Sequence, residues 1–359
     1  MMFNPRQLRL LATSLALLFI ALVLPSEAFA QKKKSKKKSK SSKQFSLLVN
    51  LKTTFDDNII NYSDDDLDLY SGGDNQSKFA IESKDDWIMN LGIRPRLKGN
   101  FIGHTAWLQA KFDYFYYAKN DIKRYWKIGT LARQYLFKSA YIELEYSYIP
   151  DYYYRNQYIQ DLDSYVEASF SKNYLKTEIG YNLLKSLKAD ISYRYSAKTF
   201  NEEVSERNLV SHKIRTDLIW TPSKIVKYWL NYGFEDANAD GADIEDLEVK
   251  DVSYDAADLT FGIRYYTKKP KSIKPEYVAS FQFRKIRYQT DKYTDIYRAG
   301  REDNNIQLRF GTVWSMPYKL NLNIDYYYQM KRTDTPLADV ENLLDYNSNS
   351  ISLNFTRSF

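Results

Sequence analysis

The strongest constraint in this chain is a period of two. From residue 45 onward, apolar side chains return at alternate positions in segment after segment. Leu187, Ala189, Ile191, Tyr193 and Tyr195 do so, with Lys188, Asp190 and Arg194 between them. Successive side chains of an extended strand point to opposite faces, so each such segment reads as a strand with one apolar and one charged face. The apolar rows begin at Phe45, Trp87, Ala106, Ala140, Val166, Leu175, Leu187, Ile214, Val226, Leu259, Tyr277, Ile306, Leu320 and Ile351. These one-sided strands need a cover, and no helical segment or second set of strands is left to supply it. Lipid remains, and segments of about ten residues can cross it when tilted. The expected fold is all-β: a transmembrane, antiparallel, up-and-down barrel of about 14 strands over residues 44–359, with 12 or 16 as the alternative counts.

The connections alternate in length. Residues 98–104, 221–224, 267–275 and 315–318 are short; 56–86, 119–131, 198–208, 235–254, 288–303 and 332–347 are long. Short turns at one rim and long loops at the other fit an outer-membrane arrangement, and an even count brings both barrel ends to the turn rim. One hairpin breaks the rule. Ser171-Lys172-Asn173 makes a short connection on the long-loop side, and residues 150–161 make a long one on the short side.

Residues 1–30 read as an export signal. Arg6 and Arg9 precede the apolar run 10–24, and Ala28-Phe29-Ala30 offers cleavage before Gln31. Residues 31–43, rich in Lys and Ser, are expected to be a disordered periplasmic tail. The chain's net charge of +7 comes from this leader. Ten of the 52 basic residues and one of the 45 acidic ones lie in residues 1–43, so residues 44–359 carry 42 against 44. A nearly neutral exported barrel is no nucleic-acid binder. The chain has no cysteine, which removes disulfides and thiol chemistry.

The chain ends on the row Ile351, Leu353, Phe355, Phe359, in the middle of a strand pattern. With the export signal, the repeated strands and the Tyr/Trp-rich strand ends, this row resembles the outer-membrane β-barrel family of diderm bacteria. "TTFDDNII", residues 53–60, also looks like the first strand of several porin-like families and of the barrel of surface lipoprotein assembly modifiers. The resemblance implies an integral outer-membrane location and contact with outer-membrane lipid and lipopolysaccharide. It also implies recognition of Leu353, Phe355 and Phe359 by the barrel-assembly machinery.

No catalytic set stands out. The two histidines, His104 and His212, fall at a turn and on an outward phase, without a Ser partner at near spacing. The inward phase is the better candidate. Arg94, Arg96, Lys98, Glu143, Glu145, Glu167, Arg194, Lys213, Arg215, Asp217, Arg264 and Arg309 are expected to line a lumen. Fourteen strands should leave that lumen open, since about eight fill it with side chains and 16–18 leave a channel. Mixed signs predict weak selectivity. Acid collects in loop one (Asp56, Asp57, Asp64, Asp65, Asp66, Asp68, Asp74) and loop five, biasing the mouth towards cations. Loop five opens with Asp236-x-Asn238-x-Asp240-Gly241, the start of a Ca²⁺ loop, with Glu248 one residue beyond the expected bidentate position. Ca²⁺ or another divalent ion at these acidic loops is the cofactor to test; the barrel itself requires none. The expected function is passive passage of small hydrophilic solutes or ions through a porin-like channel. An export barrel for a polymer or surface protein, or a closed structural or adhesive barrel, is the alternative.

Overall fold

The computed structural model describes residues 44–73, 76–159, 162–244, 246, 249–267 and 274–359. The export signal and the Lys-rich tail lie outside the described residues. Fourteen antiparallel strands close into one barrel: β1 Gln44–Asp56, β2 Asp86–Phe101, β3 His104–Tyr117, β4 Tyr125–Tyr135, β5 Ala140–Ile159, β6 Ser164–Asn182, β7 Leu187–Phe200, β8 Leu209–Ser223, β9 Val226–Ala239, β10 Tyr254–Tyr266, β11 Lys274–Tyr288, β12 Glu302–Met316, β13 Leu320–Asp334 and β14 Tyr346–Ser358. Each strand pairs with its neighbours in sequence, and β14 closes on β1 from Leu48↔Ser358 to Asp56↔Ser350. The closure runs on to the last residue: the Phe359 amide donates to the Leu47 carbonyl at 2.8 Å. Closure satisfies every edge that an open sheet would leave bare in hydrocarbon.

The outward rows are those the period of two marked. Ile191 is 58% exposed, Ile214 60%, Phe261 50% and Ile351 52%, in strands whose intervening charges turn inward. Aromatic residues gather near both rims. Phe55 and Trp87 lie 5.4 Å apart towards the loop end, and Trp220 stacks on Tyr228 at 5.5 Å towards the turn end. Amphipathic rings at two levels are the pattern of a barrel meeting two membrane interfaces. His212, on the outward face, shares a hydrogen bond of 2.7 Å between its Nδ1 and the Tyr193 hydroxyl and packs against Tyr195.

At the turn end β2 reverses into β3 through Ile102 and Gly103, both at positive φ (49° and 75°). This two-residue geometry matches the right-handed twist of the strands, and it carries even a β-branched residue into a conformation it rarely adopts. The loop end is larger. Loop one holds the helix α1 (Asp64–Gly72). The Ser63 hydroxyl accepts from the Asp66 amide at 3.1 Å, three aspartates fill the first turn, and left-handed Gly73 closes the end. Ile60, Tyr62, Phe79 and Ile81 of loop one form a small core with Tyr153 of β5. Loop seven carries the helix α2 (Ala338–Leu344). Much of the loop-one acid is therefore structural. The first-turn aspartates face the helix dipole, Lys78 pairs with Asp66 at 2.5 Å, and Asp57 accepts from Asn349.

The count of 14 stands, but two expected assignments change. Residues 125–131, expected inside the long connection 119–131, belong instead to β4, which runs to Tyr135. Its row is blurred because Thr130 and Ala132 continue Trp126 and Ile128 while apolar Leu131 falls between them. Conversely, Ser171-Lys172-Asn173 is no hairpin: β6 runs through it, and residues 150–159 complete β5. The apolar row of β6 changes face there. Phe170 points into the barrel against Tyr152 and Phe200, whereas Ile179 points out at 55% exposure. A change of face within one strand imitates a turn when only the period is read. The broken hairpin rule disappears with these two corrections.

Candidate functional site: the barrel interior

Ion pairs dominate the middle and turn-end half of the interior. Arg94 meets Asp113 at 3.1 Å, Arg133 Nε donates to Glu143 at 2.7 Å, and Lys111 bonds Glu145 at 2.7 Å. Arg96 donates twice to Gln109 Oε1 and lies 4.4 Å over the Trp107 ring. Lys213 pairs closely with Asp258 and reaches Glu235 at 3.6 Å. Arg215 meets Asp217 at 2.7 Å, Arg264 meets Glu276 at 3.4 Å and Arg309 meets Asp325 at 2.8 Å. Tyr141 crosses to this lattice over Gly180, where a Cβ would overlap its ring; its hydroxyl lies 2.5 Å from Glu178 and 2.9 Å from Asp190.

The structure brings Arg215, Asp217, Arg264 and Arg309 together around one cavity of about 270 Å³, with Lys227 and Asn231. Lys98 lines a separate turn-end cleft with Arg96, His104 and Trp107. Glu167 lies apart at the loop end, where its carbonyl accepts from Asn201 at 2.8 Å. Arg194 faces Lys176 on one side and Lys213 on the other. It joins no salt bridge among the described residues.

The loop-end half differs in sign. A chamber of about 520 Å³ is walled by β5, β6, β7, β8, β10, β11 and β13 and by loops one and four to seven. Eight cations line it, and Asp66 is the one carboxylate among its described lining residues. Some cations are paired from behind: Arg298 with Asp295, Arg301 and Lys331 with the shared Asp303, and Arg207 with Glu206 at 3.4 Å. Arg155, Lys198 and Lys250 meet no carboxylate within salt-bridge distance among the described residues. Lys198 instead stands 5.3 Å over Phe170, and Arg155 stands 4.8 Å over Tyr154. Burial beside like charge tells on the loop cations. Burial and neighbouring Arg298 push Arg207 down to about 10, and burial with Arg207 and Arg298 lowers Lys250.

Two bulges in β5 aim this wall. The register against β6 gains an extra residue between Ile149 and Tyr152, and another between Tyr153 and Arg155. A bulge lets neighbouring residues face the same way, and Tyr154 and Arg155 both line the chamber. Pro150, which cannot donate to a ladder, lies in the first bulge. The basic chamber escaped sequence reasoning because Arg155 lay in a stretch read as a connection, and Lys250, Arg298 and Arg301 lay in loops without periodicity.

The Ca²⁺ motif of loop five is extended rather than curled. Asp236 and Asn238 belong to β9 and hydrogen-bond to each other at 3.0 Å, while Asp240 accepts from Asn208. No group of three His, Cys, Asp or Glu side chains is placed to hold a metal ion among the described residues, and Glu248 lies outside them. The Lys292 ammonium donates instead to the carbonyls of Gly241, Ile244, Asp246 and Val249, at 2.8–3.1 Å.

No family model matches the chain, and no curated protein matches it. Solved structures do. A bacterial polysaccharide outer membrane secretin aligns at 9% identity and TM-score 0.47, covering 87% of this chain and 98% of that one. The outer membrane channel DcaP of Acinetobacter baumannii aligns at 12% identity and TM-score 0.45, covering 91% and 100%. An anion-selective porin from Comamonas acidovorans aligns at 9% identity and TM-score 0.42, covering 89% and 99%.

Proposed function

We propose that the protein is an outer-membrane channel through which small hydrophilic solutes or ions pass passively. One observation carries the reading: a closed barrel turns an apolar belt outward and keeps charged side chains around cavities of about 520 and 270 Å³ within. Charge around cavities of this size, enclosed by a lipid-facing wall, favours a wet interior. The export signal over residues 1–30 and the assembly role of Leu353, Phe355 and Phe359 belong to the same reading. The test is single-channel recording of the purified protein in a planar bilayer. Steady ohmic steps are expected. A silent barrel that nevertheless inserts would overturn the reading in favour of a closed or partner-gated barrel.

A further inference from the structure

The loop-end chamber has the makings of a binding site as well as a passage. Among the described residues its cations outnumber the carboxylates that touch them, eight against the four of Asp66, Glu206, Asp295 and Asp303. The surplus is concentrated on Arg155, Lys198 and Lys250, which line the chamber, with Arg155 donating to the Ile60 carbonyl at 3.4 Å. A buried charge without a partner is costly, and the missing counter-charge must come from whatever enters.

The walls between the cations are aromatic. Phe170 and Phe200 lie 5.1 Å apart, Tyr154 stands 6.5 Å from each, and Lys198 hangs over Phe170. Rings of this kind offer apolar faces to a flat carbon skeleton while the neighbouring cations take a charged end. About 520 Å³ falls within the range of small-molecule sites. Below the chamber Lys198 pairs in register with Lys172, and further down Lys176, Arg194 and Lys213 stand side by side on β6, β7 and β8. There Lys176 is held by Glu178 and Lys213 by Asp258 and Glu235, so that among the described residues of this trio Arg194 alone adds unpaired charge.

We infer that the chamber binds small organic anions, taking the carboxylate between Arg155 and Lys198 and the flat apolar body against Phe170, Phe200 and Tyr154. The inference rests on the channel reading and specifies its cargo. A simple inorganic anion would use the cations but leave the rings idle, so the contrast between an aromatic and an aliphatic carboxylate is decisive.

The experiment uses the whole purified protein, with benzoate and acetate as probes and benzylamine as the cationic control. In bilayers, the reversal potential under a KCl gradient should show anion preference. Benzoate added at the loop side should block chloride current at least tenfold more tightly than acetate, and benzylamine should not block. Arg155→Gln/Lys198→Gln should abolish the benzoate preference; Lys250→Gln, a loop change that spares the wall, should weaken it severalfold and guards against a misfolded double variant. Calorimetric titration of benzoate into the detergent-solubilised protein reads binding without conduction. Conductance with cation preference, or with equal block by benzoate and acetate, overturns the inference and leaves the channel standing. Benzoate binding that the double variant loses, without conductance, upholds the site and overturns the channel. Neither conductance nor binding overturns both.

Discussion

Lys292 holds loop five with an ammonium group just beyond the residues of the metal motif. Four carbonyls converge on it from a loop with little apolar packing of its own. Replacing it leaves those acceptors to water or to nothing, a loss of about 2 kcal/mol for local opening of the loop. Lys292→Met should therefore speed proteolytic cleavage in residues 241–250 by roughly thirtyfold, because cleavage follows the open population. Unchanged cleavage would show that the loop holds itself. Lys123, in the connection after β3, poses a different problem. It is 3% exposed, donates to the Tyr153 carbonyl at 2.9 Å, and finds no carboxylate among the described residues. Burial, helped by Arg155, lowers it from 10.5 to about 7. The folded protein sheds this proton first as pH rises, so between about 7 and 10.5 the unfolded chain binds more protons and stability rises with pH. The thermal midpoint in detergent should climb across that window, and Lys123→Met should flatten the climb. An equally steep climb in the variant would place the titration elsewhere.

At the scale of the element, β5 decides what the chamber can see. Its second bulge supplies one residue more than β6 can pair, so Tyr154 and Arg155 share a face. Deleting Tyr154 removes the extra residue and should straighten the hairpin, leaving Arg155 on the wall without its aromatic neighbour. The expected outcome is a folded barrel whose benzoate block falls severalfold while its conductance persists. An unchanged block would mean that the bulge is incidental. The same strand shows what a sequence does and does not disclose. Outward rows were legible because lipid demands apolar residues at every second position over the full thickness of the membrane, as Leu187 to Tyr195 show. The demand ends above the membrane. There Phe170 packs against Tyr152 and Phe200 of the neighbouring strands and Tyr153 against loop one, and their period carries no sign of which face they serve. β4 was hidden for a related reason: Leu131 and Ala132 are both nearly buried, so its two faces barely differ.

Across the whole molecule the interior has two electrostatic zones in series. The inward residues read from the sequence were found mostly in the lower zone, where pairs such as Arg94–Asp113 and Arg309–Asp325 neutralise one another. The basic upper zone was illegible because its cations come from loops, from an extension of β5 and from the loop ends of β7 (Lys198) and β13 (Lys331), brought together only by closure of the barrel. The zones should respond differently to mutation. Arg94→Gln/Arg96→Gln removes one cation that Asp113 already balances and one held by Gln109 and Trp107. Asp113 is then left unpaired, and a modest shift of the reversal potential towards cations follows. Arg155→Gln/Lys198→Gln removes charge that no carboxylate among the described residues balances and should shift it further. Salt separates the zones again. The Debye length falls from about 10 Å at 0.1 M to about 3 Å at 1 M, shorter than a chamber of this volume is wide. Anion preference should therefore be strong at 0.1 M KCl and largely lost at 1 M, whereas the paired lower zone responds little to salt. A reversal potential whose permeability ratio is the same at both concentrations would mean that the selectivity is set by size or by direct contact, and that the surplus charge of the upper chamber does not govern it.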